Sequence, residues 1–140
     1  MKWIKTVFIA AGMALTYLFG TFDAALIALI VFIALDYLTG VLSAVINKKL
    51  SSSIGLLGIA RKSLIFAVLI MAVTLDRLIG PGNRVFRTIV CYFYISNEGI
   101  SIIENLARSG IPVPEKLTGV LQQLRKRGGA DEEPNGGSET

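Results

Sequence analysis

Asp36 sits in the middle of an apolar run, and Asn97, Glu98, Ser101, Glu104 and Asn105 crowd into one short stretch further along. In 140 residues there is no histidine and one cysteine, Cys91, so Cys/His zinc sites, histidine general bases and disulfide frameworks are excluded. What carboxylates, amides and hydroxyls can still do among apolar residues is bind another helix or handle water and ions inside a membrane. No catalytic residue, metal ligand or cofactor is predicted, and the protein is not expected to be an enzyme. Cys91 reads as a small apolar filler.

The elements that must carry these groups follow from composition. At 53% hydrophobic and 17% charged residues, a chain of this length cannot bury its apolar surface in one water-soluble core. The reading is therefore an all-α integral membrane protein of about four transmembrane helices, over residues 4–22, 24–46, 63–80 and 84–106, or three if the last lies in the interface. The first run follows Lys2 and Lys5 and has no A-x-A cleavage site behind it, which makes it a signal-anchor helix rather than a removed signal peptide. Residues 47–62 carry three serines and two glycines and are expected to form a loop, with at most a short helix on the membrane surface. Gly80-Pro81-Gly82 closes the third run.

Beyond Gly110, residues 111–127 form an amphipathic cytoplasmic segment in which Leu117, Val120, Leu121 and Leu124 share a face, suited to a lipid surface or to pairing with copies of itself. Residues 128–140 are Gly-rich and acidic and are expected to be disordered.

Energies rank the segments. The 13 Leu, Ile, Val and Phe residues of 24–46 contribute about 5 kcal/mol to insertion against about 3 kcal/mol for a central aspartate, so this helix inserts despite Asp36. Asp36, Thr39, Gly40, Ser43 and Asn47 fall on one small and polar stripe that should avoid lipid. The ten such residues of 84–106 give only about 4 kcal/mol, less than its acids, arginines and asparagines would cost at depth. There Arg87, Tyr94, Asn97, Glu98, Ser101, Glu104, Asn105 and Arg108 share an arc of about 120°. Such a helix needs partner helices or water along that stripe, and Asp36 is expected to pair with Arg87 or with a stripe amide. Gly12, Thr16 and Gly20 recur every four residues and offer a face for close helix packing.

Charge sets an orientation. With a cytoplasmic N-terminus and four spans, both termini are cytoplasmic, eleven cations lie inside and only Arg77, Arg84 and Arg87 outside. The cations flank apolar runs instead of forming an aromatic-interleaved patch, so no nucleic-acid partner is expected.

The chain resembles the bacteriophage holin family that groups holins of Gram-positive phages with clostridial toxin-secretion proteins. The resemblance covers roughly residues 1–127. It rests on Asp36-Tyr37-Leu38-Thr39-Gly40, on Leu50-Ser51-Ser52 with Gly58-Ile59 and Arg61-Lys62, and on Asn97-Glu98-Gly99-Ile100-Ser101-Ile102-Ile103-Glu104-Asn105 running on to Gly110-Ile111-Pro112-Val113-Pro114. It implies a small protein that accumulates in the lipid bilayer of the host bacterial cytoplasmic membrane, forms homo-oligomers, and opens lesions that release or activate an endolysin, ending in host cell lysis. The family brings no catalytic residues, so Asp36, Thr39, Gly40, Arg87, Asn97, Glu98, Ser101, Glu104 and Asn105 are expected to serve a pore or an oligomer contact. A non-lytic export pore for a large protein toxin, or a small ion channel or transporter, would use similar residues. The segments show no inverted repeat of the kind transporters use.

Overall fold

A computed structural model describes residues 1–128. Among these, five helices follow one another: α1 (Lys2–Phe19), α2 (Ala24–Ile46), α3 (Ser52–Ile79), α4 (Val85–Arg108) and α5 (Glu115–Arg127). The expected tail over 128–140 lies outside the described residues except for Gly128. Three helices, α1, α2 and α3, are long and apolar enough to cross a membrane. The protein is an all-helical integral membrane protein.

Local chemistry fixes the helix ends. Asp23 caps α2, its Oδ1 accepting from Leu26 N at 3.0 Å. At the other end the chain turns through Lys48 with φ 55°, and Lys49 N donates back to Ala44 O at 2.8 Å, closing the helix with a left-handed residue. Ser51 then caps α3, its Oγ accepting from Ile54 N at 3.3 Å.

This cap corrects the expected loop over 47–62. α3 begins at Ser52, eleven residues before the run 63–80, and its 28 residues extend about 42 Å. The serines are a helix start rather than a break. The glycines are contact points: a Cβ on Gly55 or Gly58 would stand 3.5 Å from the Tyr37 ring or hydroxyl of α2. α1 ends at Phe19, three residues short of the 4–22 expectation, because Gly20 adopts φ 79°.

α4 occupies the centre. Its start lies by the start of α2, where Arg87 meets Asp23, and its end by the end of α2, where Asn47 Nδ2 donates to Arg108 O at 3.4 Å. The two helices are thus parallel and coextensive. No residue of α4 from Ile89 to Ile103 is exposed. The apolar core joins Leu26, Leu29 and Ile33 of α2, Ile65, Leu69 and Val73 of α3, and Cys91 and Ile95 of α4. In lipid such a core holds by close packing, since tails solvate leucine as well as leucine does. α1 stands at the edge and contributes no buried residue.

α5 is the largest departure from expectation. Expected to suit a lipid surface or to pair with copies of itself, it folds back along α4 and buries Leu121 of its apolar face, while Leu117 and Val120 of that face stay more than half exposed. Gly110 at φ 79° and Ile111 N donating to Leu106 O at 2.9 Å end α4, and Pro112 and Pro114 turn the chain. Leu121 then enters a notch at Gly99, where a Cβ would stand 2.7 Å from both of its methyls, and Ser96 Oγ donates to Leu121 O. The end of α5 reaches Ile89 and Phe93. Amphipathicity reveals that a face must be covered, but not by what.

The notch gives a prediction. Gly99→Val should push Leu121 out and detach α5, raising trypsin cleavage at Arg125, Lys126 and Arg127 about tenfold, while α1 to α4 keep their helical circular dichroism. Unchanged cleavage would mean that Leu121 does not anchor α5.

Candidate functional site

Two polar clusters lie inside the bundle. In the first, Lys62 of α3 reaches between two carboxylates, donating to Asp36 Oδ2 of α2 and, at 2.5 Å, to Glu98 Oε2 of α4. The three side chains are 9–17% exposed, so water screens them little. Asn105 completes the cluster from α4, its Nδ2 donating to Asp36 Oδ1 at 3.0 Å and to Thr39 Oγ1 at 3.1 Å. Gly40 lies beside it, where a Cβ would make ordinary contact with Asn105 Nδ2 at 3.5 Å. Three helices are bound through one ammonium and one amide.

The cluster floors a cavity of about 740 Å³ between the end of α2, the start of α3 and the end of α4. Ser101 lines the same cavity.

The second cluster closes the opposite end. Arg87, 5% exposed, spends its guanidinium on Phe19 O at 2.8 Å, Thr21 O at 2.6 Å and the Asp23 carboxylate at 2.8 and 3.2 Å. It passes over Gly20, where a Cβ would lie 2.8 Å from its Nε. Asp76 of α3 accepts from Phe86 N at 3.0 Å and Arg87 N at 2.9 Å, two amides that the helix itself cannot satisfy at its start. Asn83 Nδ2 adds a third donor at 3.1 Å.

Of the residues read from sequence, Asp36, Thr39, Gly40, Glu98 and Asn105 therefore come together, with Ser101 on the same cavity. Arg87 does not join them. Asp36 pairs with a stripe amide, Asn105, and with a cation the sequence reading had assigned to the loop, Lys62. Glu104 is exposed and only 3.9 Å from Arg108, and Asn97 is half-buried without a hydrogen bond to a described side chain. The Gly12, Thr16 and Gly20 stripe does not pack a helix within the chain. Gly12 has no neighbour within 4 Å, Thr16 borders an open gap beside Arg77, and Gly20 lies in the turn. The physical reason is that α1 touches the bundle chiefly at its end, where Arg77 donates to Tyr17 O and lies 4.2 Å over the Tyr17 ring.

Sequence reasoning missed Lys62, Asp23 and Asp76. For Lys62 the signal was available: once Ser51 is taken as a cap, the lysine falls eleven residues into a helix, at a depth where a cation needs a partner.

The profile of the bacteriophage holin family matches residues 13–126. The chain belongs to that family. That family is one of pore-forming, non-enzymatic membrane proteins. The chain is 51% identical over 127 residues to a 14.9 kDa protein in the nagH 3' region of Clostridium perfringens, covering 91% of this chain and 96% of that one. It is 41% identical to YqxH of Bacillus subtilis over 80% of this chain and 79% of that one. A protein of Bacillus phage phi105 named "Probable holin" is 38% identical over 79% of this chain and 81% of its own length. No solved structure matches the chain.

Two outcomes follow from these clusters. Lys62→Met leaves two facing carboxylates without their cation and should destabilise the bundle by about 3–5 kcal/mol, whereas Glu98→Gln leaves a one-to-one pair and should be tolerated. Membrane-fraction yield and thermal midpoint in detergent should fall for the first and hold for the second; equal losses would contradict the pairing. At the other end, the Arg87 guanidinium bonded to Asp23 holds that carboxyl below its ordinary value, against the smaller opposing effect of burial. The resulting stability is complete above the unfolded carboxylate value of about 3.9 and is lost as pH falls through the lower folded value. Asp23→Asn keeps a capping oxygen but not the charge, so its thermal midpoint should drop less than that of the wild type between about pH 5 and pH 3. Parallel pH profiles would overturn this assignment.

Proposed function

We propose that this member of the holin family assembles into homo-oligomers in the host bacterial cytoplasmic membrane and opens lesions that release or activate an endolysin, leading to host cell lysis. In this reading α1 to α4 all span, with the N-terminus and the α4–α5 turn, flanked by Arg108 and Lys116, in the cytoplasm, while α5 carries Arg125, Lys126 and Arg127 back from the cytoplasmic side to which the charge count assigned them. The observation that carries it is the position of α5. α4 is coextensive with α2 and so lies at the same depth, and α5 runs beside α4 back to Ile89 and Phe93. With Leu121 turned inward, Lys116, Gln123 and Lys126 point away from α4 and are exposed. Each lysine facing lipid at depth would cost about 3 kcal/mol. Water or other copies must cover that face, and a ring of copies with α5 turned inward supplies both. The phage relative's name supports the same reading.

The α4 stripe serves this arrangement differently from a bare pore wall. Glu98 and Asn105 are satisfied within the chain by Lys62, Asp36 and Thr39. They keep α4 in place while α5 offers the wet surface.

The test is induced expression in bacteria with and without a cytosolic cell-wall hydrolase, following membrane potential and turbidity. Wild-type protein should depolarise the cells abruptly and lyse them only with the hydrolase. Gln123→Leu with Lys126→Leu should reach the membrane at equal level yet delay or abolish depolarisation, because its α5 face accepts lipid. Unchanged onset in this variant would sink the role given to α5. Ion-specific currents without protein release would make the chain a channel, and protein release without lysis an export pore.

A further inference from the structure

The 740 Å³ cavity above the Asp36–Lys62 pair opens where three helix ends meet, at Asn47, Ser51 and Arg108. Its lining carries Lys49, Arg61, Lys62 and Arg108 against one carboxylate, Asp36. Lys62 is consumed by Asp36 and Glu98. Among the described residues neither Lys49 nor Arg61 has an acidic partner, and Arg108 has only the 3.9 Å contact with the largely exposed Glu104. Three under-compensated cations thus surround a pre-formed cavity. The Ser51 end of the 28-residue α3 adds the positive end of its dipole beside Lys49 and Ile54.

The same cavity has an apolar flank. Leu50, Ile54 and Leu57 line it and remain 52–58% exposed, continuous with the apolar outside of α3. A free anion would gain nothing from them. A ligand with a phosphodiester at one end and acyl chains at the other would gain from both.

We propose that this cavity is a binding site for an anionic glycerophospholipid, its phosphodiester held by Arg61 and Arg108 with Lys49 and its chains lying along Leu50, Ile54 and Leu57. Arg61 comes from α3 and Arg108 from α4, so one headgroup ties together two helices whose ends also meet α2 at Tyr37 and Asn47. Guanidinium forks suit a phosphate oxygen pair better than an ammonium does. The inference stands apart from the proposed lesions and would hold for a protein that opened none.

The full chain, purified in a neutral detergent, is offered equal amounts of dioleoyl phosphatidylglycerol and dioleoyl phosphatidylcholine, and bound lipid is counted by native mass spectrometry. The anionic lipid should be retained preferentially, and Arg61→Gln with Arg108→Gln should reduce that preference roughly tenfold or more. Both arginines are exposed, and circular dichroism checks that the variant keeps its helices. Lys2→Gln with Lys5→Gln removes the same charge from exposed residues outside the cavity lining and should leave the preference intact. Equal retention by the arginine variant, or an equal loss in the lysine variant, overturns the site. Displacement of the lipid by millimolar inorganic phosphate would overturn the lipid assignment in favour of a free-anion site.

Discussion

The bundle depends on one constraint: α4 carries too many polar groups to face lipid, so α2, α3 and α5 are arranged to cover it. Lys62 is the interaction through which this is achieved. One ammonium set between Asp36 and Glu98 fixes α3 against both α2 and α4, at a place where leaving either carboxylate alone would be costly. Asn105 then joins α4 to α2 directly. With these contacts made, the side chains that oppose insertion are the ones that determine which helices are neighbours.

The two ends of α4 follow the same logic with different chemistry. At its start the backbone amides of Phe86 and Arg87 need acceptors and find the Asp76 carboxylate of α3. The Arg87 side chain needs acceptors too, and the α1–α2 turn supplies two carbonyls and Asp23. The turn is shaped to be a receptor for that guanidinium, which is why Gly20 cannot hold a side chain and why α1 is tied at its end while the rest of it stays free. At the finish of α4, Gly110 and the prolines send the chain back over the notch at Ser96 and Gly99, which admits Leu121.

Much of this was legible in the sequence, for reasons that differ by element. α2 reads plainly because a long apolar run with one acid has few alternatives, and the stripe of Asp36, Thr39 and Gly40 follows from its period. The polar arc on α4 was visible too, as was its need for partners. What residues 51–62 do was not, because serines and glycines have the same composition whether they break a helix or cap it and let Tyr37 approach. Lys62 was hidden by that reading. α5 was hidden by a different limit: periodicity identifies the face to be covered, while the notch that covers it is formed by Ser96 and Gly99, small residues that carry no hydrophobic signal.

Two demands on such a protein conflict. A chain that enters a bilayer must conceal its charges, whereas a chain that opens the bilayer must offer them to water. Here the demands fall on different helices. Asp36 of α2, Lys62 of α3 and Glu98 of α4 are bonded to one another inside the chain, so their pairing does not depend on how many copies are present. Among the described residues the outward groups of α5, Lys116, Gln123 and Lys126, have no such internal answer, and in the proposed oligomer their environment changes with every copy added alongside. On the proposed assembly, a concentration-dependent change of state is the natural consequence of that division, because the part of the molecule that lipid tolerates least is also the part whose surroundings other copies would control.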